Sequence, residues 1–280
     1  MPSNCIPFIG CNHDYKTSNI VLFGAPFDGT VSFRPGTRFA PGVIRVESYG
    51  LETYSPYLNR DLNDLAISDI GDIEITYGNT QKTIDSIYNQ SKSIVADNKI
   101  PFMMGGEHLV TLSNVQAVSE KYPNLKVIQF DAHADLRDDY EGEKLSHATV
   151  MRRVHDLLGD RSIYQLGIRS GLKEEFEFAK KHLTIEQFNV SSANDLTSIL
   201  SDSPVYITID LDVLDPSVMM GTGTPEPGGV SFQELLSAVH SLKGLNVVGC
   251  DVVELSPHYD QSGVSTAVAA KLIRELLLIL

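Results

Sequence analysis

Apolar and polar positions follow one another in blocks that predict alternating strands and helices. Seven short runs rich in β-branched and other apolar residues are typical of buried strands, at 20–23, 65–67, 101–104, 127–130, 162–166, 205–209 and 247–249. Between the strands, apolar residues recur every three or four positions, which predicts helices. One such helix spans 80–98, and another begins after Ser231, a helix-capping residue with Glu234 three positions later.

A strand-helix-strand order favours parallel strands joined by right-handed crossovers, with helices on both faces of the sheet. The sequence therefore predicts an α/β protein with a three-layer α/β/α fold and a central, mainly parallel sheet. Apolar residues make up 42% of the 280 residues, enough for a large core. We find no linker, repeat or change of composition, so we expect a single domain over 1–280. The apolar stripe at 269–277 is expected to pack within that core.

The amino-acid composition argues against nucleic acid and membranes as partners. Asp and Glu number 36 against 22 Lys and Arg, a net charge of -14 that repels nucleic acid and anionic lipid. The longest aliphatic run, 276–280, is far shorter than the roughly 20 residues of a membrane span. Cys5, Cys11 and Cys250 form an odd set without a CxxC pair, which favours structural thiols in a reducing compartment. We expect a cytoplasmic protein with neither nucleic-acid nor membrane partners.

Ionisable residues follow directly after four of the predicted strands. Ligands bind beyond the carboxyl ends of parallel strands, so these residues are candidates for chemistry. They are Glu107 and His108, then Asp131, His133 and Asp135, then Asp210 and Asp212, and finally Glu254.

The spacing of these acids predicts a pair of metal ions. Asp131, His133 and Asp135 are two residues apart, so in an extended segment they share one face, as do Asp210 and Asp212. Four crowded carboxylates require cations, and two divalent ions balance their charge. Oxygen ligands with nitrogens from His108 and His133 favour two Mn²⁺ ions.

Two of the clusters have a simpler interpretation when they are taken alone. A DxD pair after a strand is commonly a solvated turn or helix cap. Gly105 and Gly106 alone are compatible with a tight turn, and His108 alone with a residue at a helix start. The sequence alone does not decide between these interpretations and metal binding for the two clusters at 105–108 and 210–212. The acid-His-acid spacing at 131–135, flanked by small alanines, is hard to explain by packing and favours metal binding on its own.

Several ordered motifs extend along nearly the whole chain. They are GAPFDGT at 24–30, RPGTR at 34–38, GGEH at 105–108, DAHAD at 131–135, SHAT at 146–149, DLDVLDP at 210–216 and DVVE at 251–254. In these motifs the chain resembles the ureohydrolases, the family of arginase and agmatinase. The resemblance implies one ureohydrolase domain with an arginase-like sheet of about eight strands.

The resemblance also divides the metal ligands. It implies that His108, Asp131, Asp135 and Asp210 bind one manganese ion, and that Asp131, His133, Asp210 and Asp212 bind the other. Asp131 and Asp210 would then bridge the two ions. Members of the family usually form trimers or pairs of trimers, so a homo-oligomer is expected.

Within the family the chain is most similar to agmatinases. Arginase-type enzymes place small polar residues after the last DAHAD ligand, including an Asn two positions on, whereas this chain has LRDDYE at 136–141. Four carboxylates at 138–143 would favour a dicationic substrate, although a solvated loop explains them equally well. The SHAT motif has Ala148 where many agmatinases have Gly.

The resemblance implies hydrolysis of agmatine, a small cationic guanidino compound, to putrescine and urea, a step of polyamine biosynthesis. A metal-bridging hydroxide would attack the guanidinium carbon, Glu254 would hold the planar group, and His147 would carry the proton to the leaving amine. Thr224 occupies a position where the family places a hydroxyl near the reacting group. Alone, Glu254 and His147 have ordinary interpretations as a strand-end acid and a cap neighbour.

Alternatives remain for the activity. The same site would serve a guanidinobutyrase, a formiminoglutamase or an arginase. A non-catalytic, metal-binding regulatory homologue is an alternative from another class.

Overall fold

Eight parallel strands form the central sheet of the computed structural model, which describes residues 6–280. In chain order the strands, with a separate antiparallel pair β2 and β3, are β1 Ile20–Ala25, β2 Tyr54–Ser55, β3 Arg60–Asp61, β4 Ile67–Asp72, β5 Ile100–Gly105, β6 Lys126–Phe130, β7 Ile163–Ile168, β8 Thr184–Gln187, β9 Pro204–Asp210 and β10 Asn246–Val253. Their order across the sheet is β4-β1-β5-β10-β9-β6-β7-β8. The expected α/β class and parallel sheet are confirmed.

Helices cover both faces of this sheet. They are α1 Ala40–Ser48, α2 Thr80–Ala96, α3 Val110–Lys121, α4 Val150–Leu158, α5 Lys173–His182, α6 Ala193–Ile199, α7 Phe232–Ser241 and α8 Val264–Ile279. Buried residues of α1, α6, α7 and α8 share one apolar cluster with the sheet, and those of α2 to α5 pack in two further clusters. The three-layer arrangement follows from this division.

Most predicted elements are observed, and the exceptions have local causes. The helix predicted over 80–98 is α2, and α7 begins directly after Ser231, which makes the predicted capping contacts with Glu234. The strand predicted at 65–67 lies further along, as β4, because its Asp69 is buried against Arg45 of α1 at 2.8 Å. β8 was not predicted, since this edge strand has no apolar run and is at most half-buried.

The apolar stripe of α8 lies in the core as expected, and Leu272, Ile273 and Leu276 are fully buried. Cys11 and Cys250 are buried and free of disulfides within the described residues, whereas Cys5 lies outside them. Along residues 6–280, every helix is too short or too polar to cross a bilayer.

The strand order brings the ionisable strand ends together. β5, β10, β9 and β6 are consecutive in the sheet, and each runs into one of the four clusters of ionisable residues. Because all four strands are parallel, their carboxyl ends meet at one edge. The four clusters of ionisable residues therefore lie together in the middle of this edge.

A buried ion pair in α8 links this helix to neighbouring segments of the chain. Glu275 is fully buried and is bound by the neighbouring Arg274. It also accepts hydrogen bonds at 2.8 Å from His240 Nε2 and from Ser55 Oγ. Burial acts to raise the pKa of Glu275, but these hydrogen bonds outweigh it and lower the pKa to about 2.

Replacing Glu275 by Gln is expected to lower the free energy of unfolding by about 3 kcal/mol at pH 7, because Arg274 loses its buried counter-charge. Since the pKa of Glu275 is depressed on folding, its contribution is complete above about pH 4.5 and is lost as the pH falls toward 2. Urea unfolding at pH 7 and at pH 3 measures both effects. As a control, Glu177→Gln removes an exposed pair with Lys173 and should cost less than about 0.5 kcal/mol. Equal losses for the two variants would contradict the role given to Glu275.

Candidate active site

The turn after β5 places His108 by a close backbone approach. Gly106 packs so tightly on the β1 side that a Cβ there would lie 1.8 Å from the carbonyl oxygen of Phe27. The Gly106 N–H donates to Ala25 O at 2.9 Å and the Glu107 N–H to Phe27 O at 2.8 Å. Gly106 is therefore needed so that this turn can approach the backbone of Phe27, in addition to the tight turn that the sequence suggested.

The segment after β6 is held by its own carboxylates. Asp131 Oδ1 accepts the His133 N–H at 2.6 Å, and its Oδ2 accepts from Gln129 Nε2 at 2.7 Å. Asp135 has a positive φ of 53°, which only a few non-glycine residues adopt. Its carbonyl accepts the N–H groups of Met151 and Arg152, so the start of α4 holds this conformation.

His108 Nδ1 lies among three carboxylates. Asp131 Oδ2 and Asp135 Oδ2 are both 3.0 Å away, and Asp210 Oδ2 is 3.4 Å away. Yet this buried nitrogen makes no hydrogen bond of regular geometry in the described part of the chain. Ligand atoms of His108, Asp131 and Asp210 thus lie within 4.8 Å of one another, and Asp135 adds a further oxygen 3.0 Å from the ring nitrogen.

The other ring nitrogen of His108 is fixed by a buried hydrogen-bond chain. His108 Nε2 lies 3.0 Å from the Thr208 hydroxyl, which in turn donates to Asp251 Oδ1 at 2.6 Å. Because the one hydroxyl proton goes to Asp251, Thr208 accepts from His108 Nε2–H. The lone pair of the neutral ring is then on Nδ1, as a metal ligand requires.

A second group surrounds His133. Its Nδ1 is 3.0 Å from Asp212 Oδ2 and 3.7 Å from Asp131 Oδ1, so Asp131 takes part in both groups. Asp210 Oδ1 accepts the Asp212 N–H at 2.9 Å, and Asp212 Oδ1 accepts the Ala132 N–H at 3.1 Å. All six residues predicted as metal ligands therefore lie in one connected cluster.

The electrostatics of this cluster favour cations. Burial, together with the charges of Asp135 and Asp212, raises the pKa of Asp131 to about 7. Burial and the neighbouring acids also raise the pKa of Asp210 well above its ordinary value. For Asp212 burial acts in the same direction, but His133 outweighs it and lowers the pKa. Acids crowded in this way hold either protons or metal ions, and the mixed oxygen and nitrogen donors suit a pair of divalent ions.

His147 is held in one orientation at the rim of the cluster. It begins the short 3₁₀ helix His147–Thr149, which is capped by Ser146. Its Nδ1–H donates to Thr30 O at 3.0 Å, so Nε2 carries the lone pair, and the Ser32 hydroxyl lies 3.5 Å from that nitrogen. The pKa of His147 is lowered, chiefly by burial, which favours the neutral ring near pH 7.

Glu107 supports His147 through Thr30, a role that the sequence did not predict. This fully buried acid accepts the Thr30 N–H at 2.9 Å and binds the Thr30 hydroxyl with its other oxygen. Burial raises the pKa of Glu107 to about 7, although both hydrogen bonds act to lower it. The GGEH motif at 105–108 indicated that Glu107 lies near the site, but nothing in the sequence showed that it binds Thr30.

Glu254 joins the cluster from the end of β10. It has a positive φ of 67°, and its Oε1 accepts the His108 N–H at 2.8 Å. Its other oxygen accepts no backbone N–H from residues 6–280, and the residue lines a cavity of about 300 Å³. Thr224 lines the same cavity and donates to Asp212 Oδ2 at 3.3 Å.

The outer wall of the cavity is made by Arg137, Tyr140, Leu172 and Glu175. The Arg137 guanidinium lies over the Tyr140 ring at 4.9 Å, and its Nε is 3.7 Å from Glu175. The same four residues also line an adjoining cavity of about 530 Å³. Its lining includes four further acids, Asp138, Asp139, Glu141 and Glu174.

Arg169, at the end of β7, is a second residue that the sequence did not reveal. Its guanidinium donates to the carbonyl oxygens of Asp212 at 2.7 Å and Val213 at 3.1 Å. It also donates to Glu226 O at 2.7 Å. Arg169 thereby holds in place the loop that carries Asp212 and Thr224. No sequence motif around Arg169 predicted this contact.

Comparisons with known proteins agree with this geometry. Residues 18–279 match the model of the Arginase family. An agmatinase from Bacillus subtilis is 48% identical over 275 residues, which cover 97% of this chain and 95% of the relative. The crystal structure of a candidate agmatinase from Clostridium difficile is 53% identical, with a TM-score of 0.93 over 95% of this chain and 98% of that one. Proclavaminate amidino hydrolase from Streptomyces clavuligerus is 31% identical, with a TM-score of 0.92 over 99% and 97% of the two chains.

Gly106→Ala is expected to lower the free energy of unfolding by at least about 2 kcal/mol, because its Cβ would overlap the Phe27 carbonyl. The matched control is Gly42→Ala in α1, where no heavy atom lies within 4 Å of the new methyl group. That change should stabilise the protein by roughly 0.5 to 1 kcal/mol through helix propensity. Urea unfolding of both variants measures the difference. An unaltered midpoint for Gly106→Ala would show that the close approach is not required.

Proposed function

Since the chain belongs to the arginase family, we propose that it hydrolyses agmatine to putrescine and urea at the cluster beyond β5, β10, β9 and β6. One observation carries the proposal. His108 Nδ1 faces three carboxylate oxygens within 3.4 Å without a hydrogen bond, at the base of a cavity that Glu254 and His147 also line. A dinuclear metal site explains this arrangement, and a guanidino group fits the remaining wall.

The proposed cofactor is a pair of Mn²⁺ ions. One would be held by His108, Asp131, Asp135 and Asp210, and the other by Asp131, His133, Asp210 and Asp212. The contacts that group His108, Asp131 and Asp210, and Asp131, His133 and Asp212, support this division. When bound, such a pair supplies a shared water that is acidic enough to act as hydroxide near neutral pH.

Glu254 is proposed to bind the guanidinium. Its Oε1 is anchored by the His108 N–H, while its other oxygen is available to a planar cation in the cavity. A charge-assisted pair with two guanidinium nitrogens would orient the central carbon toward the metal cluster. Burial, followed by the charge of Glu107, raises the pKa of Glu254, so its ionised form depends on cations bound nearby.

His147 is proposed to move the proton. Its Nδ1–H is engaged by Thr30 O, so only Nε2 is free to take a proton and pass it to the departing amine. Glu107 acts as a positioning residue, because it holds the backbone N–H and the hydroxyl of Thr30. Thr224 is proposed to place its hydroxyl beside the reacting group, supported by its position on the cavity wall against Asp212.

The outer wall supports a substrate with two positive charges. Asp139, Glu141 and Glu174 line the adjoining cavity. Two arginines line it as well, and each is opposed by an acid, Arg137 by Glu175 and Arg152 by Asp156. These acids would attract the primary ammonium of agmatine. These arginines instead favour guanidinobutyrate, whose carboxylate Arg137 would bind if it left Glu175.

The wider setting is proposed on the same basis. We propose one ureohydrolase domain over 1–280, in the cytoplasm, serving putrescine and polyamine biosynthesis. Buried, free Cys11 and Cys250 support a reducing compartment. A homo-oligomer, trimer or hexamer, is proposed from membership of the arginase family.

The test is product identification with manganese-loaded protein. Agmatine, arginine and guanidinobutyrate are supplied separately, and urea and the amine product are quantified by mass spectrometry. We expect urea and putrescine from agmatine, at a kcat/KM at least about 100-fold above the others, which corresponds to about 2.7 kcal/mol. Asp131→Ala should lose both ions and all turnover, because Asp131 belongs to both ligand groups. Preference for guanidinobutyrate would overturn the substrate, and absence of urea from all three would overturn the function.

His147→Asn is expected to lower kcat by about 100-fold or more while leaving the metal content unchanged, because it removes the proton carrier but no ligand. Metal content by plasma mass spectrometry and kcat for agmatine are measured together. His13→Asn, at an exposed histidine, is the control and should leave both values unchanged. Loss of metal in His147→Asn would show that the proposed roles are divided wrongly.

A further inference from the structure

A second cluster of ligand-type side chains lies away from the cavity. It consists of His155 near the end of α4, Asp160 in the following turn, and His182 at the end of α5. These segments run directly into β7 and β8, so the cluster lies at the amino ends of the strands. The catalytic cluster lies at the opposite edge of the sheet.

The three side chains converge on one atom. His155 Nε2 and His182 Nδ1 each lie 2.8 Å from the same oxygen, Asp160 Oδ1. One ligand atom from each residue lies within 4.8 Å of the other two. Ligand atoms around a tetrahedral zinc ion are separated by roughly 3.3 Å, so a small outward shift of the three groups would make room for an ion.

We propose that His155, Asp160 and His182 bind one Zn²⁺ ion per chain. Two imidazoles and one carboxylate suit zinc better than the harder Ca²⁺ or Mg²⁺. The Asp160 side chain is 61% exposed, so the ion can enter from solvent and complete its coordination with water. His155 and His182 are largely buried, at 14% and 22% side-chain exposure, which limits their alternative positions.

Neighbouring residues hold the imidazoles in place. The Phe178 ring packs against His155 and His182, with centroids 4.9 and 4.4 Å away, and Arg152 covers the ring at 4.0 Å. Zinc binding requires each neutral imidazole to carry its proton on the other ring nitrogen. For His155 this is Nδ1, a buried atom without a hydrogen bond among the described residues, and Asp156 Oδ1 lies 4.0 Å from it.

The ion would join two connections at the edge of the sheet. β7 and its edge neighbour β8 pair over only a few residues, and the register shifts between Leu166 and Ile168. A ligand shared by the turn before β7 and the end of α5 would oppose separation of these strands. Zinc is therefore expected to act on stability, independently of turnover at the other edge.

Zinc binding is tested by equilibrium dialysis of the manganese-loaded full chain against micromolar Zn²⁺ with millimolar Mn²⁺. Zinc that exchanges into the catalytic cluster is common to every variant and is subtracted. Wild type and the control His13→Ala should hold one more Zn²⁺ per chain than His182→Ala. Equal zinc content in wild type and His182→Ala, including none in either, would overturn the proposal.

Asp160→Asn provides a second variant that keeps the size of the side chain. It should bind the extra zinc at least about 10-fold more weakly, since it loses the only charged ligand. Zinc should raise the Tm of wild type by a few degrees more than that of Asp160→Asn, because a ligand of the native state stabilises that state alone and zinc bound at the catalytic cluster acts on both proteins. An equal zinc-dependent rise in both would overturn the assignment to this cluster.

Discussion

The mutual repulsion of buried carboxylates at one edge of the sheet is the constraint on which the rest of the site depends. Asp131, Asp210 and Asp212 are all buried there, and they cannot all be ionised without cations. The surrounding hydrogen bonds keep the acids in place and direct the His108 lone pair toward them. The architecture thus preserves a binding site for positive charge at the expense of local stability.

Much of this arrangement was predictable because it depends on local spacing. Strands at 127–130 and 205–209 are marked by apolar runs, and alternate polar residues after a strand must share a face. The capping contacts of Ser231 are equally local. The proximity of the four strand ends was expected only from the general behaviour of parallel sheets, since no local pattern fixes the order β5-β10-β9-β6.

What the sequence could not reveal are contacts between distant segments. Glu107 reaches Thr30 across 77 positions, and Arg169 reaches Glu226 across 57. The displacement of β4 has the same origin, because burial of Asp69 depends on Arg45 of another element. Such partners are chosen by tertiary packing, which propensity and periodicity do not encode.

The backbone N–H of His108 binds Glu254 while the ring of the same residue faces the carboxylate cluster. A single residue therefore sets the spacing between the anchor for a planar cation and the reactive centre. Lengthening or shortening a substrate cannot alter that inner spacing, so chemical diversity must arise at the far wall. Evolution of new specificities on this scaffold would accordingly proceed by exchanging the 136–141 loop while its inner geometry stays constant.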